Sequence, residues 1–315
     1  MTNDKPLKNV MRSATFVIWS SLTLGLAGNG VAQERSWEFA LTLNAYNSGY
    51  DEVMVSPDNG ALLDATGNSF IALAPQLAIT FRARQDLRLP LFLTVQGCLP
   101  LMTSKGSEVE HATNTDGTGG ITYKTEATHN ETLGRGVLGV EILPFLQPYV
   151  AVERSQLSSR RTGQLDGNDQ GQFVPDANQD YTESVVSTEL GFGIQGTAPL
   201  TINGDIRIRY DFGYLIPQTV SVSNTSFDAA SFGQGTTGYT FGGRVQLDLP
   251  FILFNPFTDH DGYWTIGATF SKRHWNGDGR LGRTTSSDGQ PSQTLLWPDN
   301  TMVKAGGFIG IGLFF

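Results

Sequence analysis

GGFIGIGLFF, Gly306–Phe315, is an unusual run of residues for a chain to carry at its far end. Terminal residues commonly lie at a surface, fray and are polar. Here the odd positions from Val303 onward read Val303, Ala305, Gly307, Ile309, Ile311, Leu313 and Phe315. The even positions read Lys304, Gly306, Phe308, Gly310, Gly312 and Phe314. A repeat of two residues is the pattern of a β-strand whose faces meet different surroundings. One face is continuously apolar, and the other is small and begins with a charge. What the apolar face touches decides the fold.

Nine more stretches alternate in the same way: Trp37–Tyr46, Phe70–Arg84, Leu87–Leu99, Leu133–Leu143, Pro148–Arg154, Val185–Thr197, Ile202–Tyr214, Tyr239–Leu249 and Trp264–Arg273. The connections alternate too. Residues 47–69, 100–132, 155–184, 215–238 and 274–301 form long polar links. Between them fall short ones: Gln85-Asp86, "PFLQ", "APLT" and the middling "PFILFNPFTDHDGY". Every hairpin thus has one crowded end and one tight end. Segments of about ten residues, an even strand count and long links on one rim only predict an antiparallel up-and-down transmembrane β-barrel of about ten strands. Twelve strands result if part of 117–129 ("GTGGITYKTEATH") also crosses the membrane. The apolar faces then touch lipid, the polar faces line a lumen, and the last strand closes the sheet against the first.

Composition fits strands and turns. The chain has 315 residues, 37 of them Gly, with 16% charged and 39% apolar residues. Its one cysteine, Cys98, excludes an internal disulfide and reads as a small inward filler. No run of 18 apolar residues predicts a membrane-spanning helix. Near the start, Lys5, Lys8 and Arg12 precede the apolar Ala14–Gly28 and the small-residue segment Gly30–Glu34. That order predicts a signal peptide over 1–32, with Met11 as an alternative start, and a single barrel domain over 33–315. No cysteine follows the apolar stretch, so no lipid anchor is expected there. Removing 1–32 takes away three cations and Asp4, moving the net charge from −9 to −11. So acidic an exported chain is a poor partner for nucleic acid.

In strand count, loop asymmetry and its final aromatic, the chain resembles Gram-negative outer-membrane β-barrel proteins. Their last strand commonly ends on an aromatic and serves as the signal read by the barrel-assembly machinery. In this sequence the resemblance marks Phe308, Leu313 and Phe315 as that signal. It further implies the bacterial outer membrane as location, with membrane lipid and lipopolysaccharide as surroundings. Aromatics support the placement as two interfacial girdles. Phe145, Phe251, Phe254, Phe257, Tyr263, Trp264 and Phe315 mark the short-turn rim, and Tyr46, Tyr214, Tyr239 and Trp275 the long-loop rim.

The inward faces are charged. They carry Arg82, Arg84, Arg88, Arg135, Arg207, Arg209, Arg244, Arg273 and Lys304 against Glu38, Glu141, Glu153, Glu189, Asp205, Asp211 and Asp248. "DIRIRYD" alone sets Asp205, Arg207, Arg209 and Asp211 in one inward row. Opposite charges in a narrow lumen pair, because an unpaired one is costly. The expectation is a salt-bridged filling with function moved to acidic outer loops, and the alternative is a narrow channel with a charged eyelet.

Other features point to less. The third long link holds Asp166, Asp169, Asp176, Asp180 and Glu183, but "DANQD" lacks the glycine and distal glutamate of a calcium loop. No metal, cofactor or surface ligand is assigned. Ten strands is also the count of the omptin proteases, which carry an acidic pair and an Asp–His pair at the outer rim. Here Asp259, His260 and Asp261 fall in a short turn at the opposite rim, and His111 and His129 sit in the second long link. His274 faces lipid beside Trp275. No nucleophile–base pair can be nominated from sequence, so no catalytic residue is assigned. "GFGIQG" (Gly191–Gly196) lies in a strand with no helix after it, which removes the dinucleotide reading. The sequons "NET" (Asn130–Thr132) and "NTS" (Asn224–Ser226) mean only exposed loop.

Overall fold

The computed structural model describes residues 36–55, 62–83, 90–112, 121–167, 173–175, 181–201, 206–224, 230–231, 238–251, 262–276, 281–284, 294–296 and 299–315. Its strands are β1 (Ser36–Val55), β2 (Leu62–Arg82), β3 (Leu91–Cys98), β4 (Met102–Thr103), β5 (Gly106–Ala112), β6 (Ile121–Val140), β7 (Gln147–Gly167) and β8 (Phe173–Pro175). There follow β9 (Tyr181–Pro199), β10 (Arg207–Asn224), β11 (Ala230–Ser231), β12 (Gly238–Pro250), β13 (Gly262–Trp275), β14 (Leu281–Thr284), β15 (Thr294–Leu296) and β16 (Asp299–Phe314).

They form a closed antiparallel barrel of ten strand paths, each paired with its sequence neighbour. One path is broken into β3, β4 and β5. Its lower piece pairs with β2 and β6, and so does its upper piece. The barrel closes where β1 meets β16, in register from Glu38 opposite Phe314 to Val53 opposite Asp299. Reciprocal backbone hydrogen bonds of 2.9 Å between Trp37 and Phe315 finish the seam, so the opening stretch is a closing strand. Closure leaves no sheet edge to be satisfied by lipid. In addition, β8 pairs antiparallel with the last residues of β7, and β11, β14 and β15 form a small separate sheet.

The apolar faces point outward. Leu41, Ile71, Val150, Phe192, Ile266 and Ile309 are 51–62% exposed, as a lipid-facing band requires. The partner positions Glu38, Thr42, Asn44 and Glu153 are buried inside.

The structure corrects the expected heights. Residues assigned to long links continue as strand: β1 runs to Val55, β7 to Gly167 and β10 to Asn224. Residues 121–129 lengthen β6 instead of adding strands, which makes the count ten and not twelve. The reason lies in the alternation, which inverts. On β10, Phe212, Tyr214 and Ile216 face out; past an irregularity between Pro217 and Thr219, Val220 and Val222 face in and Ser221 and Ser223 face out. Polar residues facing water outside and apolar residues inside form an outer collar above the lipid band.

Three expected girdle residues also move. Trp275 (0% exposed) and Tyr263 (2%) are inside the barrel, and Tyr46 packs inward against the buried apolar cluster. Strand parity explains it: Trp275 shares the face of Arg273, Tyr263 that of Thr265, and Tyr46 that of Asn44. Tyr214, Tyr239 and His274 remain outside as a run of neighbouring rings, 6.3 and 5.6 Å apart. Phe254, Phe257 and residues 1–32 lie outside the described residues.

Candidate functional site

The lumen is the candidate site, and strand parity builds it in tiers. At the short-turn end, β1 supplies Glu38, β10 Arg209, β12 Asp248 and β13 Tyr263. The Arg209 guanidinium bonds Glu38, holds Asp248 through Nε at 2.5 Å, and lies 4.5 Å from the Tyr263 ring. Tyr263 donates its hydroxyl to Glu38 as well. Nearby, Arg82 reaches Glu141 at 3.3 Å and Gln147 at 3.4 Å. Arg207 lies over the Phe314 ring at 5.7 Å, in register with Asp248.

In the middle tier Arg135 bonds Tyr149 at 2.6 Å and Asp211 at 3.3 Å, and the Tyr149 hydroxyl donates to Asp211 at 2.5 Å. Arg244 stands opposite Asp211 in the β10–β12 register, yet bonds only amide oxygens: Gln76 at 2.8 Å and Gln246 at 3.0 Å. Its guanidinium covers the Phe308 ring at 3.6 Å.

Above, Arg273 gathers three carboxylates from three strands. It bonds Glu131 at 2.6 Å, Glu189 at 3.1 Å, and Glu153. Lys304 takes the second oxygen of Glu131. Arg273, Glu153 and Glu189 are all at most 5% exposed. Removed from water, such groups are tolerable only because each has partners. Two cavities, about 190 and 130 Å³, lie below this cluster and share Gln76, Gln96, Asp211 and Arg244 in their walls.

Over the cluster, inside the collar, sits an apolar layer of Tyr50, Phe70, Ala72, Leu157, Val185, Val220, Val222, Trp275 and Met302. Embedded in it, His129 lies between the Tyr50 and Phe70 rings, 4.9 Å from each, with Nδ1 2.7 Å from Ser159 Oγ and Nε2 3.1 Å from Asn68 Nδ2. Beside it Arg161 bonds Glu52 at 3.1 Å, and Tyr50 bonds Asn300 at 2.7 Å.

Of the residues expected in the lumen, Arg82, Arg135, Glu141, Glu153, Glu189, Arg207, Arg209, Asp211, Arg244, Asp248 and Arg273 are placed as above. Arg84, Arg88 and Asp205 lie outside the described residues. Phe308 faces the lumen at 4% exposed, Phe315 faces out at 54%, and Leu313 pairs with Phe39 of β1. The sequence reading missed Glu131, Glu52, Arg161, Asn68 and Ser159, because it placed all five in loops. Their signal was present: Glu131 is four residues before Arg135 on one face of a strand. His129 is likewise a strand residue, directly opposite Ser159. Asp259, His260, Asp261 and "DANQD" lie outside the described residues. Among the described residues no group of His, Cys, Asp and Glu is placed to hold a metal ion.

Ser159 and His129 have the elements of a nucleophile and base. They are 2% and 1% exposed, however, and the imidazole is filled in between two aromatic rings. This arrangement packs a polar group into an apolar layer with its hydrogen bonds met.

No family model matches the chain, and no curated protein does. Among solved structures it is similar to the outer membrane protease OmpT from Escherichia coli, at 11% identity and a TM-score of 0.62, over 91% of this chain and 99% of that one. It also matches the translocator domain of the autotransporter NalP from Neisseria meningitidis (13% identity, TM-score 0.34, 97% and 96% covered). A third match is the toluene transporter TbuX from Ralstonia pickettii (10%, 0.31, 90% and 90%). The first likeness shows the fold of outer-membrane β-barrels and nothing of the chemistry. The other two are too low to carry an argument.

Proposed function

We propose that this chain is an outer-membrane protein with a closed lumen, a rigid mount that presents its outer collar and loops at the cell surface. The observation that carries the reading is the Arg273 cluster, in which one guanidinium ties β6, β7 and β9 together across the bore beneath a continuous apolar layer. A conducting path needs water through both tiers, and the packed aliphatic and aromatic side chains of the upper layer disfavour it. The acidic third link between β7 and β9, with Asp169, Asp176 and Asp180, is the proposed contact region. Export through a leader over 1–32, insertion by the barrel-assembly machinery and a surround of lipopolysaccharide belong to the same reading.

Single-channel recording of the refolded chain in a planar bilayer tests it. Wild type is expected to be silent, and Arg273→Ala combined with Trp275→Ala to give intermittent conductance. Steady wild-type current, with ion preference altered by Arg209→Ala, overturns the closed lumen in favour of a narrow channel.

A further inference from the structure

We propose that Arg244 holds a small monovalent anion, of halide size, inside the lumen. Its cross-strand partner is Asp211, the acid placed by register to neutralise it. That carboxylate turns away: one oxygen is 3.3 Å from Arg135 and the other accepts from Tyr149 at 2.5 Å. Asp248, two steps along the same face as Gln246, is held by Arg209 and by the Gln246 amide at 2.9 Å. Arg244 is left with two neutral amide oxygens and the face of Phe308. Among the described residues it forms no ion pair.

Neutral acceptors and a ring satisfy N–H geometry but cancel no charge. A cation–π contact supplies about 0.5–2 kcal/mol, while an uncompensated charge away from bulk water costs more. Space for a counter-ion exists beside it, in cavities of about 190 and 130 Å³ that share Arg244 as wall. Donors converge there too. Gln76 gives its oxygen to Arg244, which leaves its NH₂ to donate, and the Gln96 side chain lines both cavities without a hydrogen bond to any described residue. Surplus N–H groups around one unbalanced positive charge select an anion. The nearby carboxylates of Asp211 and Asp248 repel a second negative charge, which disfavours phosphate and selects a monovalent ion.

The site exists whether or not the lumen conducts, so the test is separate from the electrical one. The full chain is refolded with potassium bromide or with potassium gluconate at equal ionic strength, gluconate being several times the volume of a halide. Crystals grown from bromide should show an anomalous peak in contact with the Arg244 guanidinium. The thermal midpoint of wild type should be higher in bromide by roughly 2–4 °C. Arg244→Gln should lose peak and shift, Arg244→Lys should keep the peak, and the outward-facing Arg154→Gln should keep both. Wild-type crystals without a peak at Arg244, or an equal shift in Arg244→Gln, overturn the proposal. If Arg244→Gln does not fold, the wild-type peak and the Lys variant decide it alone.

Discussion

The lower and upper halves of the same strands are built for different solvents. In the lipid band of β7, Val150 and Val152 face out, exposed by 59% and 46%, and Glu153 faces in. In the collar of the same strand Arg154 and Arg160 are exposed and Leu157 is buried at 1%. The lower half is a membrane barrel with a polar interior. The upper half is the inverse, with its own apolar interior. Alternation alone therefore does not say which face is the core. The surroundings choose the face, and a strand that leaves lipid for water exchanges its two sides without breaking its hydrogen-bonded ladder.

The sharpest way to break this comparison is to attack the polar interior where it is densest. Arg273→Met leaves Glu131, Glu153 and Glu189 with Lys304 as their one cationic partner among those contacts. Removing one side of such a cluster costs about 3–5 kcal/mol. Urea unfolding of the refolded chain, followed by the gel mobility difference between folded and unfolded forms, should register that loss. Adding Glu153→Gln and Glu189→Gln should recover much of it, because the remaining charges then balance. A loss below about 1 kcal/mol would show that the cluster is well hydrated and the bore is open to water.

Next in size is the apolar interior of the collar. Trp275 is 0% exposed, and cutting it to Ala removes the largest side chain of the layer, a loss of about 3–5 kcal/mol where the surroundings do not collapse. In the lipid band the same kind of truncation at Phe192, 62% exposed and facing out, should cost far less. Parallel urea curves of Trp275→Ala and Phe192→Ala check the contrast. Equal losses would mean that the collar has no core of its own.

The same inversion explains what could be read in the sequence and what could not. Strand existence, the antiparallel order, closure of β16 on β1 and the inward parity of Arg209, Asp211 and Arg273 all follow from period two with apolar residues outside. The collar hid because its apolar residues lie on the opposite face and are sparse. Tyr50, Leu157, Val220 and Val222 are separated by Ser, Thr, Asn and Asp, the composition of turns. Read as loops, those positions give Glu131, His129 and Ser159 no face, and their convergence is invisible. Trp275 was misplaced for a related reason: an aromatic next to the lipid boundary reads as interface by residue type, although Arg273 two positions before it fixes its side. The exchange of Asp211 from Arg244 to Arg135 has no sequence signal, since it depends on Tyr149 reaching across the bore.

The smallest predicted effect concerns a residue with no side chain. Asn68 on β2 and His129 on β6 are separated by the β5 path, so their 3.1 Å contact has to pass over it. Gly106 makes the passage possible. A Cβ at that position would overlap the Asn68 amide. Gly106→Ala should push Asn68 aside and leave His129 packed between Tyr50 and Phe70 with Ser159 as its remaining polar partner. Because the obstruction is the end of a side chain that can turn, the expected loss is that of one hydrogen bond, about 1 kcal/mol. Asn68→Ala should cost a similar amount, and the double variant little more than either alone, since both remove the same contact. Additive losses in that cycle would place the strain of Gly106→Ala in the β5 backbone instead. The collar would then be held by its broken strand more than by the polar group inside its apolar layer.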